Sequence, residues 1–263
     1  MSTDELVTSG FVEAASFQPY DQFILFGDSI TQFSVSQAKG FGFSPAIQDD
    51  YIRRLDVINR GFSGYNTAHA IKVFPKFFPA PQIARVRFLT IFFGANDSVL
   101  PGFYQHVPLN EYKENLKAII KHPVTLAQDP KILLLTPPPV NEYQLATLDA
   151  RKGFPSPSRT ANNTKLYADA CREVAGSLGV QVVDIWTAFM KAAGWQEGQP
   201  LPGSKDIPNN EVLEGLLSDG LHFTPEGYKI MYSEVMRVIR ATWPDQAPEN
   251  LPMIFPHWQE APK

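Results

Sequence analysis

The chain has 263 residues, 44% of them hydrophobic and 19% charged, with a formal net charge of −4. This is a globular composition with enough apolar mass for one large α/β domain or two small ones. The mildly acidic balance without a basic run argues against nucleic acid as a partner, and no apolar stretch approaches the roughly 20 residues that cross a bilayer.

Cys171 is the only cysteine, which excludes an intramolecular disulfide and a cysteine-rich metal site. The N-terminus, Met1-Ser2-Thr3-Asp4-Glu5, lacks the pattern of a signal peptide, so a cytoplasmic protein is expected. Residues 1–20 carry no period and are expected to form an irregular arm. Phe23-Ile24-Leu25-Phe26 is an unbroken apolar run that reads as a short buried strand. Gly27-Asp28 breaks the run and leaves Ser29 where the strand ends. Ligands bind at the carboxyl ends of strands in an open parallel sheet, and a hydroxyl there, at the head of a helix, has the setting of a nucleophile. Asp28 and Ser29 fit a plain turn and helix cap equally well.

A returning helix is expected within Lys39–Arg54, from the spacing of Ile47, Tyr51, Ile52 and Leu55, and then a second strand at Asp56–Asn59. Gly61 and Gly64 mark a tight turn with close backbone approach. The helix that opens at Thr67 is expected to run to Phe74 and stop at Pro75. Val86–Phe93 is the clearest strand, and it ends in the polar cluster Gly94-Ala95-Asn96-Asp97-Ser98. Helical spacing over Leu109–Ile120 and a fourth strand at Ile132–Leu135 follow. Asn141–Arg159 has no period and reads as a surface excursion. Thr160–Leu178 is a long helix with Leu166, Ala170, Val174 and Leu178 on one face, followed by a fifth strand at Val180–Ile185 and a short helix at Trp186–Ala193. Residues 194–210 form a loop rich in Gly and Pro. Thr224 and Pro225 are the cap and first position of a final helix, Glu226–Trp243.

The proline-broken tail carries Leu251, Met253, Ile254, Phe255 and Trp258, too much apolar surface to leave in water. It is expected to pack on its own subunit or on a second copy, a homodimer. Strands alternating with helices give an α/β fold: a three-layer α/β/α sandwich around a central, mainly parallel five-stranded sheet. The expected division is an arm at 1–20, one domain at 21–243 and a tail at 244–263.

Asp219 and His222 are three residues apart on one turn and face the same side. A carboxylate so placed can fix the tautomer of a histidine that takes a proton from a serine hydroxyl. The pair also fits a helix-cap Asp beside a surface His. His69, His106, His122 and His257 have no ligand spacing, so no metal is expected. Acyl transfer builds negative charge on a carbonyl oxygen, and donors aimed at it contribute strongly. The N–H groups of Ser29 and Gly64 and the Asn96 side chain are candidates, although taken singly Gly64 fits a plain turn glycine, and Asn96 a hydrogen-bonded turn residue, better than a donor. Jointly, Ser29, Gly64 and Asn96 each follow a strand in chain order, and Asp219 and His222 precede the last helix. All five then fall on the carboxyl edge of one sheet.

These residues lie in four blocks: Gly27-Asp28-Ser29-Ile30-Thr31, Gly61-Phe62-Ser63-Gly64-Tyr65-Asn66-Thr67, Gly94-Ala95-Asn96-Asp97 and Asp219-Gly220-Leu221-His222. By them the chain resembles the SGNH (GDSL-type) hydrolase superfamily over roughly residues 22–240, with Ile30 where the superfamily's name has Leu. The longer strings Phe92–Asp97, Val107–Leu116 and Leu135–Val140 are similar to the isoamyl acetate-hydrolysing esterase family. The resemblance implies Ser29 as nucleophile, His222 as base, Asp219 as its orienter, and oxyanion donors from Ser29, Gly64 and Asn96. It also implies the SGNH, flavodoxin-like form of the α/β sandwich. The implied activity is serine carboxylic ester hydrolysis through an acyl-enzyme, without cofactor or metal, on small esters such as acetates of short alcohols. The alternatives are a thioesterase, lysophospholipase or carbohydrate acetylesterase with the same site, or a non-catalytic binding protein of the same fold.

Overall fold

The β-branched and aromatic runs of the chain form five strands: β1 (Asp21–Gly27), β2 (Leu55–Gly61), β3 (Val86–Phe92), β4 (Lys131–Leu135) and β5 (Gln181–Val183). In the computed structural model, which describes residues 19–261, they make one wholly parallel sheet in the order β2-β1-β3-β4-β5. Gly27 at the end of β1 pairs with Gly61 of β2 and Phe92 of β3, so these three strands finish level with one another.

Successive residues of a strand point to opposite faces, and each face builds its own core. Phe23, Leu25, Phe88 and Leu133 pack with Ile47, Phe189, Val235 and Ile239. These come from α2 (Phe43–Asp50), α8 (Ile185–Ala192) and α10 (Pro225–Thr242). The alternate residues Ile24, Phe26, Leu89 and Leu134 pack with Phe74, Leu116 and Val174. Those side chains belong to α3 (Thr67–Phe77), α4 (Leu109–Ile120) and α7 (Ala161–Leu178). The result is the three-layer sandwich expected from the alternation of elements. The other α-helices are α1 (Ser29–Phe33), α5 (Pro123–Gln128), α6 (Glu142–Arg151) and α9 (Glu211–Leu216).

Several local expectations are corrected. Helix α3 continues through Pro75 to Phe77. A proline there removes one N–H bond close to the helix end, and the helix still closes with Phe78 N–H on Phe74 O at 3.1 Å. The stretch read as an excursion contains α6, capped by the Asn141 side chain, which accepts the N–H groups of Tyr143 and Gln144. Only Leu145 and Asp149 of this helix are buried, so it has no apolar stripe. On α7, Tyr167, Ala170, Cys171 and Val174 face inward while Leu166 is half exposed. Strand β5 ends at Val183, because Asp184 turns away to cap α8 by accepting the Thr187 N–H.

The arm lies outside the described residues apart from its last two positions. The first part of the tail packs on its own subunit. Ala247 and Leu251 are buried, and Arg54 Nε donates to Leu251 O at 2.8 Å. Met253, Phe255 and Trp258 remain 41%, 42% and 74% exposed, so the tail's apolar residues are only partly covered. Among the described residues no helix is long and apolar enough to cross a membrane.

Candidate active site

The sheet edge where β1 to β3 end is shaped by glycines that let the backbone close in. A Cβ on Gly27 would lie 2.0 Å from Thr31 Oγ1, and one on Gly61 would lie 2.0 Å from Gln32 N. Neither contact is tolerable, so both strand ends reach α1 only as glycine. Asp28 caps α1, its Oδ1 accepting the Ile30 N–H at 2.9 Å, and Ser29 is the first helical residue. Burial pushes the Asp28 carboxyl up to about 7, against the lowering effect of the Ile30 N–H and the charges of His222 and Arg159.

Ser29 Oγ lies 2.9 Å from His222 Nε2, and His222 Nδ1 lies 2.8 Å from Asp219 Oδ2. The other carboxylate oxygen of Asp219 accepts the backbone N–H of His222 at 2.9 Å and of Leu221 at 3.1 Å. Burial alone would raise the Asp219 carboxyl. The His222 side-chain and backbone hydrogen bonds, the imidazole charge and the Leu221 N–H outweigh it and hold the group at about 2. An ionised Asp219 accepts the Nδ1 proton, which leaves the Nε2 lone pair facing the Ser29 hydroxyl. The turn bearing both residues is fastened at two points to α6: Asn141 N–H donates to Gly220 O at 3.0 Å, and Gln144 Nε2 donates to Leu217 O at 2.7 Å.

Gly64 follows β2 with φ +81°, a conformation glycine adopts without cost. Its carbonyl is held by Gln105 Nε2 at 2.7 Å. Among the described residues, neither the Ser29 nor the Gly64 backbone N–H has an acceptor. Asn96 follows β3 and is buried; its Nδ2 donates to Tyr65 O at 2.8 Å. Beside it, burial raises the Asp97 carboxyl to about 6 even though Thr67 donates to it from both backbone and hydroxyl.

The structure thus brings all five expected site residues to one edge and adds others. Arg159, at the end of the stretch read as an excursion, is buried: its Nη2 donates to Asn96 Oδ1 at 3.2 Å and its Nε to Ala95 O at 2.9 Å. Burial lowers the guanidinium to about 10 in spite of the charges of Asp149, Asp28 and Asp219. A contact across 63 positions leaves no local trace in a sequence. On the other side, His222 forms one wall of a hollow of about 200 Å³ with Phe33, Phe41, Phe223, Pro225 and Tyr228. The Phe33 ring lies 5.5 Å from the imidazole. Among the described residues, no group of three or more His, Cys, Asp and Glu side chains is placed to hold a metal ion.

A hydroxyl, an imidazole and a carboxylate in series, with unengaged N–H groups nearby, suit nucleophilic attack on a carbonyl. The model of the GDSL-like lipase/acylhydrolase family matches residues 25–230. A GDSL esterase/lipase of Arabidopsis thaliana is 36% identical over 90% of this chain and 91% of its own. The isoamyl acetate-hydrolyzing esterase 1 homolog of Rattus norvegicus is 34% identical over 99% of this chain and 94% of its own. Among solved structures, a lipase/acylhydrolase from Enterococcus faecalis superposes with a TM-score of 0.57 at 25% identity, covering 84% of this chain and 96% of that one. The acetyl xylan esterase AlAXEase superposes with a TM-score of 0.62 at 16% identity, covering 83% and 99%, a likeness of fold.

Proposed function

Because the chain belongs to the GDSL-like lipase/acylhydrolase family and is a carboxylic ester hydrolase, we propose that Ser29, His222 and Asp219 carry its chemistry. The observation behind this reading is the unbroken series of 2.9 Å and 2.8 Å contacts from the hydroxyl to the carboxylate. Ser29 Oγ attacks the ester carbonyl carbon while His222 Nε2 takes its proton. Negative charge gathers on the carbonyl oxygen, which the Ser29 and Gly64 N–H groups and the free N–H of the Asn96 amide receive. The C–O bond to the alcohol then breaks, and His222 returns the proton to the departing oxygen. Water repeats the sequence on the acyl-enzyme with His222 again as base. Asp219 holds Nδ1–H throughout and stabilises the imidazolium.

The substrates in this reading are small esters, with acetates of short branched alcohols as the first choice. His222 must reach the leaving oxygen, so the alcohol lies on the His222 side, where the hollow of about 200 Å³ opens. That is smaller than the roughly 300–1,000 Å³ of pockets for drug-sized ligands. Its phenyl walls, Phe33, Phe41 and Phe223, suit a compact aliphatic group. The similarity to the isoamyl acetate-hydrolyzing esterase 1 homolog of Rattus norvegicus supports the same substrate class.

The test is a series of acetates with alcohol groups from ethyl to decyl, with acyl-enzyme formation followed by intact mass. Loading of one acetyl group, absent in Ser29→Ala, with kcat/KM highest for alcohols of about the size of isoamyl, is expected. Loading at another residue would remove Ser29 from its role. Preference for long acyl chains, thioesters or acetylated sugars would replace the substrate class.

A further inference from the structure

We infer that Arg159 is the positioning residue of the oxyanion site, the group that fixes which end of the Asn96 amide faces the substrate. The inference rests on the proposal that Asn96 is an oxyanion donor. An asparagine amide turned by 180° would place Oδ1, an acceptor, where negative charge develops. A guanidinium is a donor at every nitrogen and keeps its proton across the working pH range. Whatever faces Arg159 Nη2 must therefore be an oxygen, and Asn96 Oδ1 lies there at 3.2 Å. Tyr65 O, which can only accept, meets Nδ2 at 2.8 Å and imposes the same direction from the other end. Donor and acceptor together leave one orientation, set before any ester arrives.

The position of Arg159 is itself built. Asp149, on α6, accepts the Ser158 N–H at 2.8 Å and the Ser158 hydroxyl at 2.7 Å, and Leu100 N–H donates to Ser158 O at 2.8 Å. On the other side Thr160 caps α7. Between these anchors the guanidinium reaches under the turn after β3, and its Nε holds Ala95 O at 2.9 Å, so one fork grips the backbone and side chain of adjacent residues. Among the described residues Arg159 makes no direct ion pair; Asp149, Asp28 and Asp219 act on it through space. A buried cation without a direct partner is costly to fold around. A cation behind the Asn96 amide polarises its N–H groups toward the oxyanion, a benefit realised when that charge develops.

A double-mutant cycle on kcat and KM tests this, with thermal melting of each variant. Arg159→Met is expected to lower kcat about 10- to 100-fold, short of the full loss of an oxyanion donor, with KM changed less than about threefold. In an Asn96→Ala background, where no amide remains to position, the same change should cost less than about threefold in kcat. Equal losses in both backgrounds, a loss confined to KM, or an unchanged kcat would overturn the assignment. If Arg159→Met does not melt cooperatively, Arg159→Gln, which can present either an oxygen or an NH2 group to Asn96 and so cannot fix the amide, enters the same cycle and is read the same way. If Asn96→Ala alone leaves kcat intact, the oxyanion role of Asn96 falls and the role of Arg159 with it. If Asn96→Ala is severe and Arg159 uncoupled, only the inference about Arg159 fails.

Discussion

Asp219 holds His222 twice, through Oδ2 on the ring Nδ1 at 2.8 Å and through Oδ1 on the backbone N–H at 2.9 Å. The ring orientation is thereby tied to the main chain of the same turn. Asp219→Asn keeps a carbonyl oxygen for the backbone and turns an NH2 group toward Nδ1. The imidazole then carries its proton on Nε2, where it cannot accept one from Ser29. A loss of about 10⁴-fold in kcat is expected, as in other triads so altered. Steady-state kinetics on a short acetate measures it.

Asp28 and Asp219 should move stability with pH in opposite directions. An unfolded Asp titrates near about 3.9. Asp219 is held at about 2, so its contribution is present above about pH 4 and disappears as pH falls toward 2. Asp28 is raised to about 7, so the folded chain favours its protonated form. Its contribution is present below about pH 4 and is lost as pH rises through 7. Asp28→Asn keeps an oxygen for the Ile30 N–H and cannot ionise. The melting temperature of this variant, relative to the parent, should therefore climb between pH 4 and pH 8. A constant difference across that range would mean that Asp28 ionises normally.

Asn96→Ala should lower kcat about 10²–10³-fold while KM changes little, because the lost interaction strengthens only as the oxyanion forms. A raised KM with normal kcat would make the amide a ground-state contact with substrate.

Two substitutions in the tail should behave differently although both remove large apolar side chains. Leu251 is buried against the core, and Leu251→Ala should cost about 2–5 kcal/mol in denaturant unfolding. Trp258 is 74% exposed, and Trp258→Ala should fall within about 0.5 kcal/mol of the parent. Similar costs at the two positions would show that the end of the tail is covered in solution.

The parallel sheet makes the convergence of the candidate site residues legible in the sequence. Every strand of such a sheet ends on the same edge, so polar residues after Phe26, Gly61 and Phe93 had to converge. The Asp219–His222 relation is local, but its spacing alone also fits a helix-cap Asp beside a surface His, and only the joint pattern with Ser29, Gly64 and Asn96 singles it out. Helix α6 was not legible, because Leu145 is its single fully buried apolar residue. Its packing relies on polar contacts, from Asn141 to Gly220 and from Asp149 to Ser158. Arg159 was hidden for the same reason: its meaning comes from Asn96, distant in the chain, and nothing beside it marks a cation that will be buried. Pro75 does not stop the helix because the one N–H bond it removes lies close to the end, where Phe74 meets Phe77 edge-on and stacks on Phe78.

His222 and Asp219, the base and its orienter in the proposed mechanism, occupy one short turn between α9 and α10, which has a consequence for inheritance. A recombination event with its breakpoints in α9 and α10 would carry His222 and Asp219 into a new chain as a single cassette. Where acid and base sit on separate loops, the same exchange would part them. Here the recipient must supply a hydroxyl at the right distance, donors for the carbonyl oxygen and a brace such as α6 to hold the incoming turn.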